Sequence, residues 1–125
     1  MKVYLISRYS RFLEMQRYRA ELTVLGHRVT SRWINGEHRL KDNDETEAQR
    51  FAIEDIEDLL AADCIISFTE APRSEHSRGG RHVEFGIAIM CGKRLMVVGY
   101  RENVFYYLPQ VEFFRRWEDL LRKLT

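Results

Sequence analysis

The sequence predicts a three-layer α/β fold, a single domain over residues 1–125 built on a doubly wound, five-stranded, mostly parallel sheet. Three observations predict it. Short β-rich or apolar runs alternate with stretches of helical period, the pattern of a sheet covered by helices on both faces. Two of the runs, "DCIISF" (Asp63 to Phe68) and "KRLMVVG" (Lys93 to Gly99), are apolar almost throughout, as buried parallel strands are. No repeat, low-complexity tract or linker divides the 125 residues, which suffice for one core.

In chain order, "KVYLIS" (Lys2 to Ser7) reads as the first strand. Met15, Tyr18, Leu22 and Leu25 recur at spacings of three and four, a helical stripe over 11–25. Gly26 stands where a helix C-cap favours glycine. "HRVTSRWI" (His27 to Ile34) alternates like a half-buried strand, with Val29 and Trp33 on one face. The polar stretch 35–45 reads as a loop and 46–62 as a helix with an apolar stripe of Ala48, Phe51, Ala52, Ile56 and Leu59. Glu47, Arg50, Glu54, Glu57 and Asp58 are assigned to its solvated face. After "DCIISF" come a polar loop over 69–80, a helix to about Cys91, the strand "KRLMVVG", an aromatic-dense stretch "NVFYYLPQVEFF" and a closing helix, "RWEDLLRKL".

Composition narrows the partners. A formal net charge of +1 gives no general pull towards nucleic acid polymers or anionic membranes. No apolar run approaches the ~20 residues of a membrane span, and "MKVYLISRYS" carries charges where a signal peptide needs its apolar segment. Cys64 and Cys91 both lie in apolar settings and read as buried free thiols, which predicts a cytoplasmic protein.

Two carboxylates break the apolar pattern. Asp55 lies inside the stripe of its helix, one turn from both Phe51 and Leu59. Glu84 is the one charge in the apolar run from Val83 to Cys91. An unpaired carboxylate facing a core costs several kcal/mol unless it is hydrogen-bonded or reaches a wet cleft. Asp55 could cap a neighbouring loop, and Glu84 could pair with Arg81. Alternatively both are used. In parallel sheets ligands bind beyond the carboxyl ends of the strands, the edge on which the loops after Ser7, Phe68 and Gly99 gather. Two acids there suit glycosidic chemistry, one as nucleophile and the other orienting the sugar or handling a proton.

Read together, these features resemble the nucleoside 2-deoxyribosyltransferase family and its relatives, the 2′-deoxynucleoside 5′-monophosphate N-glycosidases. "KVYLIS" is similar to the family's first strand, "EDIEDLLAADCIISF" (Glu54 to Phe68) to its helix and following strand, and "VEFGIAIMCGKRLMVV" (Val83 to Val98) to its glutamate-bearing helix and fourth strand. The resemblance implies a flavodoxin-like or Rossmann-like fold and cleavage of an N-glycosidic bond. Glu84 would be the nucleophile, Tyr4 would hydrogen-bond and orient it, and Asp55 would contact the sugar. It implies no cofactor, a nucleoside or nucleotide substrate, and a homodimer or higher homo-oligomer whose sites borrow a neighbour's residue, for which Asn103 is the candidate.

The chain also departs from the family's pattern. His82 stands two positions before Glu84, where the family has a small residue, and Arg78 stands where transferases place the acid that protonates the base. Ser77, Arg78, Arg81 and the N–H groups of Gly79 and Gly80 could instead hold a 5′-phosphate, with His82 a further contact to phosphate or base. As separate surface charges, the arginines would be ordinary. His76 and His82 with Glu75 and Glu84 match no zinc spacing, and no metal is assigned. A non-catalytic nucleotide-binding module of the same fold is the alternative reading.

Overall fold

The computed structural model describes residues 1–38, 44–72 and 79–125. Its strands are β1 (Lys2–Ile6), β2 (Arg28–Val29), β3 (Cys64–Phe68), β4 (Arg94–Val98) and β5 (Val111–Phe114). Its α-helices are α1 (Phe12–Val24), α2 (Glu45–Ala61), α3 (Gly80–Met90) and α4 (Trp117–Lys123). The strands form one sheet in the order β2-β1-β3-β4-β5, and every pairing is parallel. β3 is buried at every position, which accounts for its continuous apolar run. The fifth strand lies within the aromatic-dense stretch before α4.

Side-chain direction sorts the layers. On one face Tyr18 of α1 stacks on Phe68 of β3 and on Trp117 of α4, with ring centroids 5.0 and 4.3 Å apart. The Trp117 indole N–H donates to Glu21 of α1 at 3.0 Å, joining the two helices over the sheet. On the other face α2 and α3 pack against β1 and each other. Tyr4, register partner of Ile65, points to that side and reaches α3.

Three expectations are corrected. The strand expected over 27–34 lasts only two residues, because side chains take over its partners on β1. The Leu5 N–H donates to Ser31 Oγ at 2.7 Å, and the Trp33 indole N–H donates to the Leu5 carbonyl at 2.9 Å. The chain therefore leaves the sheet and coils into a 3-10 turn over Arg32–Asn35. On α2 the buried face is Phe51, Asp58 and Leu59, whereas Ala52 and Ile56 are exposed. Seven residues, two helical turns, separate Phe51 from Asp58 and return it to the same face. Of the cysteines, both are free, but only Cys64 is buried; Cys91 is exposed at the end of α3. Among the described residues no helix is long and apolar enough to cross a membrane.

The carboxyl ends of β1, β3 and β4 meet at a tightly fitted edge. Gly99, just past β4, has φ +122°, and a Cβ there would stand 2.7 Å from Thr69 Oγ1 and 3.1 Å from the Thr69 carbonyl. The same hydroxyl accepts from the Tyr100 N–H. Only glycine meets both the dihedral and the space. Gly99→Ala is expected to cost about 1–3 kcal/mol, read as a lower urea midpoint at unchanged slope. Gly80→Ala, at a helical position with open space around the new methyl, should leave the midpoint level or raised. Equal losses in both would refute the steric account.

Candidate active site

Three of the side chains singled out in the sequence meet in one place. Tyr4 projects from the third position of interior strand β1 and is wholly buried. Its hydroxyl donates to Glu84 Oε2 on α3. The helix begins after Gly79, which takes the left-handed conformation at φ +90° and lets the chain turn sharply into its first residue. Glu84 thus sits just beyond the first turn, aimed at the sheet rather than at Arg81. Burial raises the Glu84 carboxyl to about 8, against the opposing pull of the Tyr4 hydrogen bond and with help from the Asp55 charge. Burial likewise holds the Tyr4 phenol neutral, and the Glu84 and Asp55 charges reinforce this. Asp55, from α2, is raised to about 6 by burial. Two carboxyls with raised pKa values, one oriented by a phenol that stays protonated, can act as nucleophile or proton carrier at near-neutral pH.

Sequence reasoning missed the pairings behind Asp55. His38 Nδ1 stands 3.2 Å from Asp55 Oδ1, its Nε2 stands 2.6 Å from Glu54 Oε2, and its ring stacks on Phe51 at 4.5 Å. The sequence offers Ser31 to His38 both as a stretch lining a sugar or base pocket and as the start of a polar loop, and Glu54 as solvated; nothing in their local pattern shows that the chain folds His38 back over Glu54. Asp58 accepts from the Arg32 backbone N–H at 2.9 Å and from its Nε at 3.0 Å, and the Thr30 hydroxyl donates to the Asp58 carbonyl at 2.7 Å. These contacts fasten the segment before α2 to the helix. Here a signal existed: the two-turn spacing from Phe51.

The candidate anion loop is only partly described. Ser77 and Arg78, like Arg73, Glu75 and His76, lie outside the described residues. Gly79 and Gly80 open α3, and the Gly79 carbonyl accepts from the N–H groups of His82 and Val83. Arg81 is not a solvated loop charge. It is buried and donates to both Glu102 oxygens, at 2.6 and 3.2 Å. Glu102 Oε1 also accepts the Glu70 N–H at 3.0 Å, so one carboxylate ties together the loops after β3 and β4 and the start of α3. Glu70 in turn takes a 2.7 Å bond from Arg11, before α1.

His82 and Asn103 fall on a different side of α3 from Glu84. His82 Nδ1 lies 3.1 Å from the Tyr106 hydroxyl. Asn103 Oδ1 accepts the Phe105 N–H at 2.9 Å as the cap of a 3-10 turn. With Phe85, Ile89, Met90 and Phe105 they line an apolar groove of about 440 Å³. Glu84 is not among its lining residues.

Comparison with known sequence families and with curated proteins finds no match. Solved structures do match over the whole chain. A 2-deoxyribosyltransferase from the psychrotolerant bacterium Bacillus psychrosaccharolyticus superposes with a TM-score of 0.76 at 20% identity, covering 99% of this chain and 96% of that one. The CMP N-glycosidase BcmB of Clostridium botulinum gives 0.62 at 19%, covering 99% and 98%. A conserved protein from Enterococcus faecalis V583 gives 0.67 at 15%, covering 99% and 96%. At these identities the likeness establishes the shared fold: the parallel α/β sheet expected from the sequence is the one found.

The burial of Glu84 has a consequence for stability. Its carboxyl binds a proton more tightly in the folded chain, near 8, than at the ordinary 4.5. Stability from this group is therefore complete below pH 4.5 and is lost as pH rises through about 8. Glu84→Gln keeps an oxygen for the Tyr4 hydroxyl and carries no charge. At pH 8.5 it should melt higher than the parent by roughly 4 °C or more, the size of a ~1 kcal/mol change in a small domain. The gap should close towards pH 4.5. A variant less stable than the parent at pH 8.5 would contradict the burial account.

Proposed function

We propose that this chain is an enzyme of the nucleoside 2-deoxyribosyltransferase family, cleaving the N-glycosidic bond of a (deoxy)nucleoside or its 5′-monophosphate. The observation that carries this reading is the part-buried hydrogen bond from Tyr4 to Glu84, with Asp55 close enough to raise the Glu84 pKa. A fold scaffold or a simple binding module has no need of an oriented, desolvated carboxyl. The fold shared with a 2-deoxyribosyltransferase and a CMP N-glycosidase supports the same reading.

In the proposed mechanism the Glu84 carboxylate attacks the anomeric carbon. The carbon–nitrogen bond breaks, and its electron pair leaves with the base, which takes up a proton. A glycosyl ester on Glu84 remains. Water, or a second base, then attacks the same carbon, breaks the ester and regenerates the carboxylate. Tyr4 holds the attacking oxygen in line, and its protonated phenol favours the ionised form of Glu84. Asp55 accepts a hydrogen bond from a sugar hydroxyl and fixes the ring for attack.

Arg78 stands where an acid would serve base exchange, which favours water as the acceptor. For a 5′-phosphate, Ser77, Arg78 and the N–H groups of Gly79 and Gly80 are the proposed cradle, and His82 is a proposed further contact. Arg81 is engaged by Glu102 and is not proposed to meet the anion directly. We further propose a homo-oligomer formed through the exposed apolar faces of α2 (Ile53, Ile56, Leu60) and α3 (Val83, Met90), next to exposed Val104 and Phe105. Asn103, beside that surface, is the residue proposed to serve a neighbouring site. The two free thiols fit a reducing, cytoplasmic setting.

The test is free-base release from a panel of nucleosides and 5′-monophosphates, followed by chromatography with and without an added base. Release from monophosphates, insensitive to the added base, is the expected result; exchange onto that base would make the chain a transferase. No release from any member would reject the enzymatic reading. Glu84→Gln should lower kcat by at least about 10³-fold while ligands still bind. Because Glu84 attacks as the carboxylate, kcat/KM should fall as pH drops below about 8. Tyr4→Phe, which removes the bond favouring the ionised form, should move that limb to higher pH; an unmoved limb would remove Tyr4 from this part.

A further inference from the structure

The Tyr4–Glu84–Asp55 group leaves one buried histidine unexplained. The His38 side chain is 7% exposed, yet it arrives from the segment after β2, far from the strand ends in sequence. Its two ring nitrogens are divided between two acids of one helix, Glu54 at 2.6 Å and Asp55 at 3.2 Å. Packing fixes the ring as well, since its face lies on Phe51. Arg50 reaches Glu54 at 3.4 Å and Arg32 lies 4.0 Å from it, so the outer carboxylate is itself held by two arginines.

Among the described residues, His38 is the side chain in contact with the Asp55 carboxylate. Its Oδ1 and His38 Nδ1 are both buried without an aligned hydrogen bond, although they stand in contact. The acids around Asp55 on α2, Glu54 and Asp58, repel its charge, and His38 opposes them. From β1 and α3, Tyr4 and Glu84 face the same space.

We infer that His38 is a positioning residue for the proposed reaction: braced by Glu54 and Phe51, it holds the Asp55 carboxylate in the orientation that receives the sugar. This inference rests on the glycosidic reading for its kinetic consequence but not for its physical one. His38 acts through Asp55 and does not need to touch substrate. Its effect on the rate exists only while Asp55 is a carboxylate.

A double-mutant cycle separates this from direct substrate contact. His38→Ala should reduce kcat for base release by about 10- to 100-fold, the scale of a misplaced reacting group. His38→Asn, whose amide can donate from near the Nδ1 position, should recover part of the loss. In an Asp55→Asn background, His38→Ala should cost almost nothing further. An undiminished loss there would overturn the inference, because His38 would then act independently of Asp55. A second measurement needs no activity: carbon-13 NMR titration of the Asp55 carboxyl, assigned with Asp55→Asn. Removing His38 should move the Asp55 midpoint upwards from about 6, because the contact that lowers it is gone. If the parent releases no base, the catalytic reading falls while the titration still decides the coupling. An unmoved Asp55 midpoint in both His38→Ala and His38→Asn would overturn the His38–Asp55 link in either case.

Discussion

The part-buried hydrogen bond between the Tyr4 hydroxyl and the Glu84 carboxyl is the constraint around which the rest of the molecule is arranged. A carboxyl taken out of water is costly, and here the cost appears as a pKa near 8. The partners come from an interior strand, paired on both edges, and a helix packed over the sheet. Neither can move to relieve the carboxyl without disrupting the core, so the strained ionisation state is retained. Stability is surrendered at one point to keep an acid poised near neutrality.

The rim of the site is organised by charge where the base is organised by burial. Glu102 receives both the Glu70 N–H and the Arg81 guanidinium, and Arg11 bridges Glu70 and Glu14. Through these few bonds the segments after β3 and β4 and those leading into α1 and α3 become one frame. Because Arg81 is nearly inaccessible to solvent, its attraction to Glu102 is less screened than that of a surface pair. Desolvation offsets part of that attraction, so the consequence is geometric definition at the edge where ligands bind in parallel sheets. On α2, Arg32 meets Asp58 and His38 lies between Glu54 and Asp55, so each ties down acids that share a single helix face.

Local periodicity carried the fold. The apolar runs of β3 and β4 are short and rich in β-branched residues, as strands covered on both faces are, and the stripe of Met15, Tyr18 and Leu22 has the period of a helix. Glu84 and Asp55 stood out because each breaks such a pattern. The readings that missed concern contacts across the chain. "HRVTSRWI" alternates correctly for a strand, but Ser31 and Trp33 spend their side chains on the backbone of Leu5. Arg81 reads like any loop arginine, and its burial follows only from Glu102, on the loop beyond β4.

By itself the sequence therefore determined the layered α/β architecture, the edge where a site would form, and two acids out of keeping with their surroundings. Those are properties of short-range pattern, which a linear chain displays openly. Only the tertiary structure decided which partner each charge takes. It gave Glu84 to Tyr4 and not to Arg81, Arg81 to Glu102, Asp58 to Arg32, and His38 to Glu54 and Asp55. The reason is physical: an ion or hydrogen-bond pair forms between groups that folding brings within about 4 Å, and the energy of each choice depends on burial that no residue possesses before the chain has closed around it.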